Sequence, residues 1–254
     1  MTRKVALVTG AGKRLGRAIA EALAEDGWSL VIHYNRSRDE AEHLAERTGG
    51  RTAAFDLEDS HGVKGFLRAQ GRIDALINSA SIFEPDRPED VTADSLMRNL
   101  KINLMAPVLL ASAMAKFHAG RNSGCVVNLL DQKLFNLNPD FFSYTLSKYA
   151  LLGATETMAM ALAPRVRVNA VAPGVTLPVK GQSEKEFHAA HRMNPMRGGA
   201  TPEDIVRAVR FILDTPSMTG ETITVDGGQH LDAMRSDVLY KATEKDVTEK
   251  DMDE

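Results

Sequence analysis

Short apolar runs alternate with longer amphipathic stretches along most of this chain of 254 residues. The runs are five or six residues long, a length and composition typical of buried β-strands. They are residues 4–9, 29–33, 51–55, 73–78, 125–130, 167–172 and 221–225. The clearest helical patterns are residues 15–26, 94–119, 142–163 and 202–214. Because strands separated by helices need crossover connections, the pattern predicts one α/β domain, with helices on both faces of a parallel sheet of about seven strands.

The first predicted strand leads into a glycine-rich turn, T-G-A-G-K-R-L-G at residues 9–16, and then into a helix. This order of elements points free backbone N–H groups at a phosphate. Gly10 permits the tight turn, and Gly12 lets the backbone approach a ligand closely. A glycine turn without a ligand would have the same local sequence, but its place on the first strand favours a cofactor. We therefore predict a doubly wound domain of the Rossmann type, with cofactor contacts here at Gly10, Gly12, Lys13, Arg14 and Leu15.

Polar and glycine-containing segments follow the ends of several other predicted strands. In doubly wound sheets, ligands bind beyond the carboxyl ends of the strands, so these segments are expected to gather along one edge. Further cofactor contacts are predicted there at Tyr34, Asn35, Arg36, Ser37, Asp56, Leu57, Asn78, Ala80, Pro173, Gly174 and Val175. The segment at 175–200 is interrupted by proline and glycine around a short polar helix, which predicts a lid over the substrate. Leu177, Met193 and Met196 are its candidate pocket-lining residues.

The end of the second predicted strand indicates which dinucleotide binds. An acidic residue at this position accepts a hydrogen bond from a ribose 2′-hydroxyl and repels a 2′-phosphate. The chain has no acid there but has Arg36 and Ser37, and an arginine binds phosphate through two hydrogen bonds and a permanent charge. Lys13 and Arg14 add positive charge, so the sequence predicts NADP(H) over NAD(H). Asp56, after the third strand, is expected to accept from the adenine amino group.

Tyr144 and Lys148 are four residues apart in a predicted helix, and Asp131 lies thirteen residues before the tyrosine. Residues at this spacing share one helix face, about 6 Å apart along the axis. A nearby ammonium is expected to lower the pKa of the phenol from its ordinary value of about 10, towards a range useful for proton transfer. The pair alone is common on helix surfaces, so the interpretation as a catalytic pair depends on the glycine turn and the strand order.

Composition excludes several classes of function. Hydrophobic residues make up 43% of the chain, enough for a large core, and no apolar run is long enough to cross a bilayer. No leader for secretion, basic stripe for nucleic acid or metal site is predicted. Cys125 is the single cysteine, predicted to be a small buried hydrophobe, and the lack of a disulfide framework favours a reducing, cytoplasmic location.

Charge is concentrated at the C-terminal end of the net −3 chain. Residues 231–254 hold eight acidic and four basic side chains, which leaves a charge of +1 on the rest. We therefore predict a catalytic domain at residues 1–231 and a polar tail at 232–254, disordered from about residue 241.

Together these motifs resemble the short-chain dehydrogenase/reductase family over roughly residues 3–231. The resemblance also rests on N-S-A-S at 78–81, Pro173-Gly174 and V-D-G-G at 225–228. It implies that Tyr144 exchanges the proton, Lys148 holds the nicotinamide ribose and tunes the tyrosine, and Asn103 orders a water relay. It also implies a homotetramer that forms through the two long helices.

Three departures from the usual family pattern resemble the pteridine reductase branch, which includes dihydromonapterin reductases. Arg14 replaces the middle glycine of the turn, N-S-A-S replaces N-N-A-G, and Asp131 replaces a serine. The H-Y-x-R-S segment at 33–37 also matches that branch. This resemblance implies that Ser81 hydrogen-bonds a pterin, Phe83 stacks on it, and Arg14 reaches the cofactor phosphates or the pterin. The implied substrate contacts are Arg14, Ser81, Phe83, Asp131 and Tyr144, and the implied catalytic residues are Asp131, Tyr144, Lys148 and Asn103.

The chemistry of Asp131 favours an imine substrate. A serine can donate to the oxygen that becomes an alkoxide in carbonyl reduction, whereas a carboxylate would repel it. A C=N bond accepts hydride best when its nitrogen is protonated, which a carboxylate favours and a carboxylic acid can bring about. We therefore predict an NADPH-dependent reductase of a pterin ring C=N bond. The alternatives are a carbonyl reductase of an oxoacyl or small ketone substrate, with Asp131 only capping a loop, and a non-catalytic NADP(H)-binding sensor.

Overall fold

A computed structural model describes residues 3–118 and 124–241 and contains the predicted parallel sheet. Its seven strands lie in the order β3-β2-β1-β4-β5-β6-β7, and every neighbouring pair is parallel. They are β1 Val5–Val8, β2 Ser29–Tyr34, β3 Arg51–Ala54, β4 Ala75–Asn78, β5 Gly124–Leu129, β6 Val166–Pro173 and β7 Thr222–Val225. The order reverses direction between β1 and β4, where doubly wound sheets open a crevice for ligands. The predicted fold class is confirmed.

Helices cover both faces of the sheet and bury alternate residues of each strand. They are α1 Arg14–Glu25, α2 Arg38–Thr48, α3 Val63–Ala69, α4 Ala93–Asn99, α5 Ala106–Phe117, α6 Phe142–Leu162, α7 Glu184–His191 and α8 Pro202–Asp214. Ala6 and Val8 of β1 pack in the core beneath α1 and α8, and Leu7 packs on the opposite face with α3 and α5. This two-residue alternation with both faces covered explains why the strands are almost wholly apolar.

The predicted helix at 94–119 is divided, and its last residue lies outside the described part of the chain. A π-helical turn, Leu100–Met105, separates α4 from α5. Pro107, at the start of α5, has no backbone N–H to continue a regular ladder. The wider turn holds the side chain of Asn103 in a fully buried position, so the interruption falls at a residue that the sequence assigned to the site.

His33 connects the ends of three strands from a buried position. Its Nδ1 accepts a hydrogen bond from the backbone N–H of Gly10 at 3.1 Å, so the proton is on Nε2, which donates to the carbonyl oxygen of Phe55 at 3.0 Å. Burial lowers the pKa of His33 to about 4. The ring is therefore neutral near pH 7 and holds the glycine turn against β2 and the segment after β3.

His33 is expected to make the fold less stable in acid. Its pKa is about 4 when folded and about 6.5 when unfolded, so the unfolded chain binds more protons between these values. The neutral ring makes its full contribution to the free energy of unfolding above pH 6.5. This contribution decreases as the pH falls, and the loss is about 3 kcal/mol at pH 4. Urea unfolding of wild-type protein and the His33→Gln variant, at pH 7 and near pH 4, measures this change in the free energy of unfolding. Other titrating groups cancel in the difference between the two proteins, and an equal pH dependence in both would contradict the assignment.

The segment at 232–241, here called the strap, returns to the body of the domain. Its backbone and side chains bond to the loop between β5 and α6. Buried Lys133 pairs with Asp237 at 3.0 Å, and Asp140 accepts from Ser236 Oγ and the Asp237 N–H, both at 2.8 Å. Val238 is buried against Ala190 of α7. These contacts hold the strap against the domain, although Asp232, Ala233, Arg235 and Tyr240 are exposed. Residues 242–254 lie outside the described part of the chain.

Within residues 3–118 and 124–241, no helix has the length and hydropathy needed to cross a membrane. In the same residues, no group of three or more His, Cys, Asp or Glu side chains is arranged to hold a metal ion. Cys125 is buried in β5, as predicted, and burial raises its pKa to about 11. The thiol is therefore protonated and unreactive near pH 7.

Candidate active site

A cleft of about 410 Å³ opens at the carboxyl ends of the strands. It brings together predicted residues from five separate segments of the chain. They are Gly10, Lys13, Arg14, Leu15, Ala80, Ser81, Phe83, Asp131, Tyr144, Lys148, Pro173, Gly174 and Val175. Gly12, Tyr34, Asn35, Arg36, Ser37, Asp56, Leu57, Asn78 and Asn103 lie outside the lining of this cleft.

Two glycines let the turn pack tightly against the end of β4 and the segment after β2. Gly10 has φ +64°, and a Cβ there would lie 3.0 Å from the Cα of Ala80. A Cβ on Gly12 would lie 2.6 Å from Ser37 Oγ. Thr9 Oγ1 accepts from the backbone N–H groups of Ser79 and Ala80, both at 3.0 Å, and so fixes the end of β4 against the turn. The turn is thus a rigid cradle of backbone, suited to a dinucleotide phosphate.

The segment after β2 presents a guanidinium with no partner. Arg36 is exposed, and no acid in the described part of the chain pairs with it. Lys13, by contrast, pairs with Glu40 at 2.6 Å. Asp56 is exposed and caps its own loop by accepting from the Glu58 N–H at 3.0 Å. An unpaired arginine beside Ser37 and the glycine turn fits the 2′-phosphate of NADP(H).

Three predicted contacts are buried away from the cleft. The Tyr34 and Leu57 side chains belong to the two hydrophobic cores, so these positions can meet a cofactor only through their backbones. Asn78 donates to Asn128 Oδ1 at 2.8 Å, which ties β4 to β5 below the site.

Arg14 joins the glycine turn to the segment predicted to form the lid. It has φ +54°, an uncommon conformation for a residue with a side chain. Its guanidinium donates to the carbonyl oxygen of Pro178 at 2.5 Å and to that of Leu177 at 3.3 Å. Burial lowers the pKa of Arg14, but the group remains a cation. The side chain lies in the cleft between the cofactor turn and the substrate side, consistent with either of its predicted contacts.

Tyr144 and Asp131 form a hydrogen-bonded pair at the centre of the cleft. The phenol donates to Asp131 Oδ2 at 2.7 Å, and Asp131 Oδ1 accepts from the Lys133 N–H at 2.9 Å. Desolvation by the surrounding protein raises the pKa of Asp131. Burial and the charge of Asp131 raise the pKa of Tyr144 well above its usual value. Tyr144 therefore keeps its proton, and Asp131 binds a proton more tightly than an exposed aspartate does.

This pair overturns one expectation from the sequence, namely that Lys148 lowers the pKa of Tyr144. The Lys148 ammonium lies 5.7 Å from the centroid of the tyrosine ring and donates to the carbonyl oxygen of Leu129 at 2.6 Å. Burial lowers the pKa of Lys148 to about 8, partly offset by the charge of Asp131. Burial of the phenol and the carboxylate at hydrogen-bond distance outweigh the more distant ammonium, so the phenol retains its proton.

Asn103 lies behind the cleft at the centre of a polar network. Its Oδ1 accepts from Ser81 Oγ at 3.1 Å and from the Ile82 N–H at 2.9 Å. Its Nδ2 donates to Ser147 Oγ at 3.0 Å, which connects the π-helical turn to the tyrosine helix. Asn103 thus positions Ser81, and the water relay implied by the resemblance stays a prediction.

Phe83 lies in an aromatic cluster at the mouth of the cleft. It stacks on Phe141 with ring centroids 3.9 Å apart and meets Tyr144 edge-on at 4.7 Å. Phe83 is partly exposed to the cleft, so stacking on a flat substrate stays a prediction. Among the lid candidates, Leu177 lines the cleft, whereas Met196 is 76% exposed and does not.

The cleft also contains residues that the sequence did not indicate. The strap contributes Asp237, Val238 and Leu239, and the loop between β5 and α6 contributes Gln132. The polar composition of residues 231–254 hid the strap, because only tertiary contacts with Lys133 and Asp140 order it. Gln132 follows Asp131 directly, and that adjacency was the one signal that could have found it.

Comparison with known proteins decides the family. A family model described as enoyl-(acyl carrier protein) reductase matches residues 10–230. The chain belongs to the short-chain dehydrogenase/reductase family. A member of this family with similar sequence is the 3-oxoacyl-[acyl-carrier-protein] reductase of Synechocystis sp., 30% identical over 90% of this chain and 97% of that protein.

Two solved structures are more alike in sequence. FolM alternative dihydrofolate reductase 1 from Brucella canis, complexed with NADP, is 42% identical and superposes with a TM-score of 0.85 over 91% of this chain and 95% of its own. The same protein from Brucella suis, also with NADP, is 42% identical with a TM-score of 0.86 over 91% and 96%. The resemblance to the family predicted from the motifs is confirmed.

Proposed function

We propose that this protein reduces a ring C=N bond of a dihydropterin, a class that includes dihydrofolate and dihydromonapterin, with NADPH. The observation that carries the proposal is the hydrogen bond between Tyr144 and Asp131, 2.7 Å long, in the cleft of a short-chain reductase. The likeness to two structures described as alternative dihydrofolate reductases, at 42% identity, supports it. Loop capping by Asp131 coexists with this role, because one carboxylate oxygen serves each.

NADP(H) is the cofactor. The backbone of the glycine turn would hold its phosphates, Arg36 and Ser37 its 2′-phosphate, and Lys148 its nicotinamide ribose. When bound, NADPH supplies the hydride. The pocket walls from β6 and the lid, at Pro173–Val175, would orient the nicotinamide ring against the substrate side of the cleft.

Tyr144 and Asp131 hold the proton that the imine nitrogen requires. Because desolvation raises the pKa of the carboxyl group, Asp131 is readily protonated when a neutral substrate fills the cleft. A protonated carboxyl group can donate to the ring nitrogen, and the ionised form stabilises the resulting cation. The raised pKa of Tyr144 keeps the phenol as a proton donor throughout the neutral range.

A second candidate is reduction of an oxoacyl or small ketone substrate. The similarity to a 3-oxoacyl-[acyl-carrier-protein] reductase favours it. The charge of Asp131 opposes it, because a carboxylate beside a developing alkoxide repels that charge.

Following NADPH absorbance with a panel of dihydropterins, dihydrofolate and simple ketones tests the proposal. Oxidation with dihydropterins or dihydrofolate, and little with ketones, is the expected result. Oxidation with ketones alone would support the second candidate. Binding of NADPH without turnover of any substrate would contradict both and favour a sensor.

Arg36→Ala is expected to raise the Kd for NADPH about tenfold to a hundredfold, because it removes a bidentate charged contact. The Kd for NADH, which lacks the 2′-phosphate, should not change. Fluorescence titration of both cofactors measures the effect. Arg38→Ala is the matched control, since Arg38 is also exposed but pairs with Glu42 at 2.7 Å on α2. Equal losses of affinity for NADPH and NADH would show that Arg36 does not bind the 2′-phosphate.

The homotetramer implied by the resemblance stays a prediction. Exposed apolar side chains on α4 and α6, namely Met97, Leu146 and Tyr149, lie on the helices through which it would form. Sedimentation velocity would test it, and a monomer would contradict it.

A further inference from the structure

The side-chain amide of Gln132 is buried in the cleft without a hydrogen-bond partner. Gln132 is 8% exposed, and its Oε1 is shielded from solvent. Neither end of the amide bonds to another group within residues 3–118 and 124–241. Buried polar side chains in folded proteins normally have partners, since leaving one unsatisfied destabilises the fold. A ligand in the cleft can supply a partner once the amide rotates about its terminal torsion and turns Oε1 towards the cleft that Gln132 lines.

The position of Gln132 matches a role in substrate binding. It begins the short helical turn Gln132–Phe135 directly after Asp131, and both residues line the cleft. Other polar groups of this region are already paired within the protein. Asp237 accepts from Lys133 at 3.0 Å and from the Leu239 N–H at 3.1 Å, and Ser81 donates to Asn103. Gln132 is thus the unpaired amide nearest to the Tyr144–Asp131 pair along the chain.

A primary amide recognises a particular arrangement of atoms. It carries one acceptor and two donors, so it pairs best with a ligand edge that offers an N–H next to a carbonyl oxygen or ring nitrogen. A simple ketone or isolated imine has no such edge, whereas the lactam and amidine edges of a pterin have one. Apolar groups of Val238 and Leu239 in the same cleft suit the flat faces of such a ring.

We propose that Gln132 is a substrate-binding residue that selects heteroaromatic substrates with an amide-like N–H and C=O or C=N edge. This inference rests on the proposed function and narrows its substrate class. Gln132 is a specificity residue here, and proton transfer stays with Asp131 and Tyr144. A ligand without this edge would leave the Gln132 amide without hydrogen bonds. The amide therefore discriminates against such ligands more strongly than an apolar side chain would.

The test compares wild-type protein with Gln132→Leu and with Gln132→Met, which keeps the length of the side chain. Each protein is assayed with a dihydropterin and with a simple cyclic imine that has no amide or amidine group. Binding of the fluorescent dihydropterin in the presence of NADP⁺ gives a second measurement that does not depend on turnover. The Kd for NADPH checks that each variant is folded.

Both variants are expected to raise the KM and Kd for the dihydropterin about tenfold to a hundredfold. Their kcat/KM for the simple imine should fall much less than that for the dihydropterin, and their Kd for NADPH should stay within about twofold of wild type. The inference would be overturned if the variants bound the dihydropterin as tightly as wild type, or if they lost activity equally with both imines. In either case, turnover of the dihydropterin by wild-type protein would still support the proposed function. If the wild-type protein neither bound nor reduced a dihydropterin, the proposed function and this inference would fall together.

Discussion

Replacing Tyr144 with phenylalanine is expected to lower kcat for dihydropterin reduction about a thousandfold, within the range measured for loss of a general acid. The phenol is buried and hydrogen-bonded to Asp131 at 2.7 Å, and it retains its proton because of its burial and of that contact. Phenylalanine keeps the ring that packs edge-on against Phe83 and removes only the hydroxyl. Stopped-flow measurement of NADPH oxidation under single-turnover conditions reports the chemical step.

Tyr149→Phe is the matched control, because it removes a hydroxyl from the exposed side of the same helix. Its kcat should equal that of wild type. Tyr144→Phe should bind NADPH as wild type does, since the glycine turn and Lys148 are unchanged. A variant that kept more than a tenth of wild-type kcat would show that the Tyr144 hydroxyl is not needed for proton transfer.

Changes at Asp131 are expected to reverse the substrate preference. Asp131→Asn should lower kcat/KM for a dihydropterin about a hundredfold, because the amide neither donates an acidic proton nor stabilises a cation. Asp131→Ser should lose pterin turnover and gain ketone turnover, since a hydroxyl donates to a developing alkoxide. Parallel assays of both substrate classes with the three proteins measure the change. Pterin turnover that survived either substitution would contradict the role of Asp131.

The pH profile gives an independent measure of the same residue. A raised pKa means that the Asp131 carboxyl stays protonated to a higher pH than an ordinary aspartate. If the protonated form is the donor, wild-type kcat is high below this pKa and decreases as the pH rises through it. The Asn variant should lack this decrease. A wild-type profile that increased with pH over the same range would indicate that the ionised carboxylate is the active form.

Much of the fold followed from local pattern. Seven apolar runs predicted seven parallel strands, because a strand buried on both faces must be apolar throughout. The rule that ligands bind beyond the carboxyl ends then placed the turn at 9–16, Asp131 and Pro173–Val175 around one cleft, as the structure has them. These predictions needed only sequence periodicity and glycine positions, both of which are local properties.

Features that depend on distant parts of the chain were not predicted. The order of the strap comes from buried Lys133 and from Asp140, about a hundred residues before it, and polar composition gave no sign of either contact. The shift in the pKa of Tyr144 was predicted in the wrong direction, because helical spacing places Lys148 nearby but does not reveal that Asp131 is closer. The π-helical turn at Asn103 was not predicted either, because such a short turn has no hydrophobic pattern that distinguishes it from the helix around it.

The reacting groups and the segments that line the substrate side of the cleft lie on different elements of the fold. This arrangement affects how substrate preference can change among relatives. Asp131 and Tyr144 are held by β5 and α6, whose positions are fixed by the core, whereas the predicted lid and the strap are surface segments that meet at Val238 and Ala190. Substitutions in either segment can reshape the space for substrate without disturbing the sheet. Family members with the same chemistry can therefore acquire different substrates by changing two short stretches independently. Sequence identity over the whole chain is then a weak guide to substrate, and identity within residues 175–200 and 232–241 is a better one.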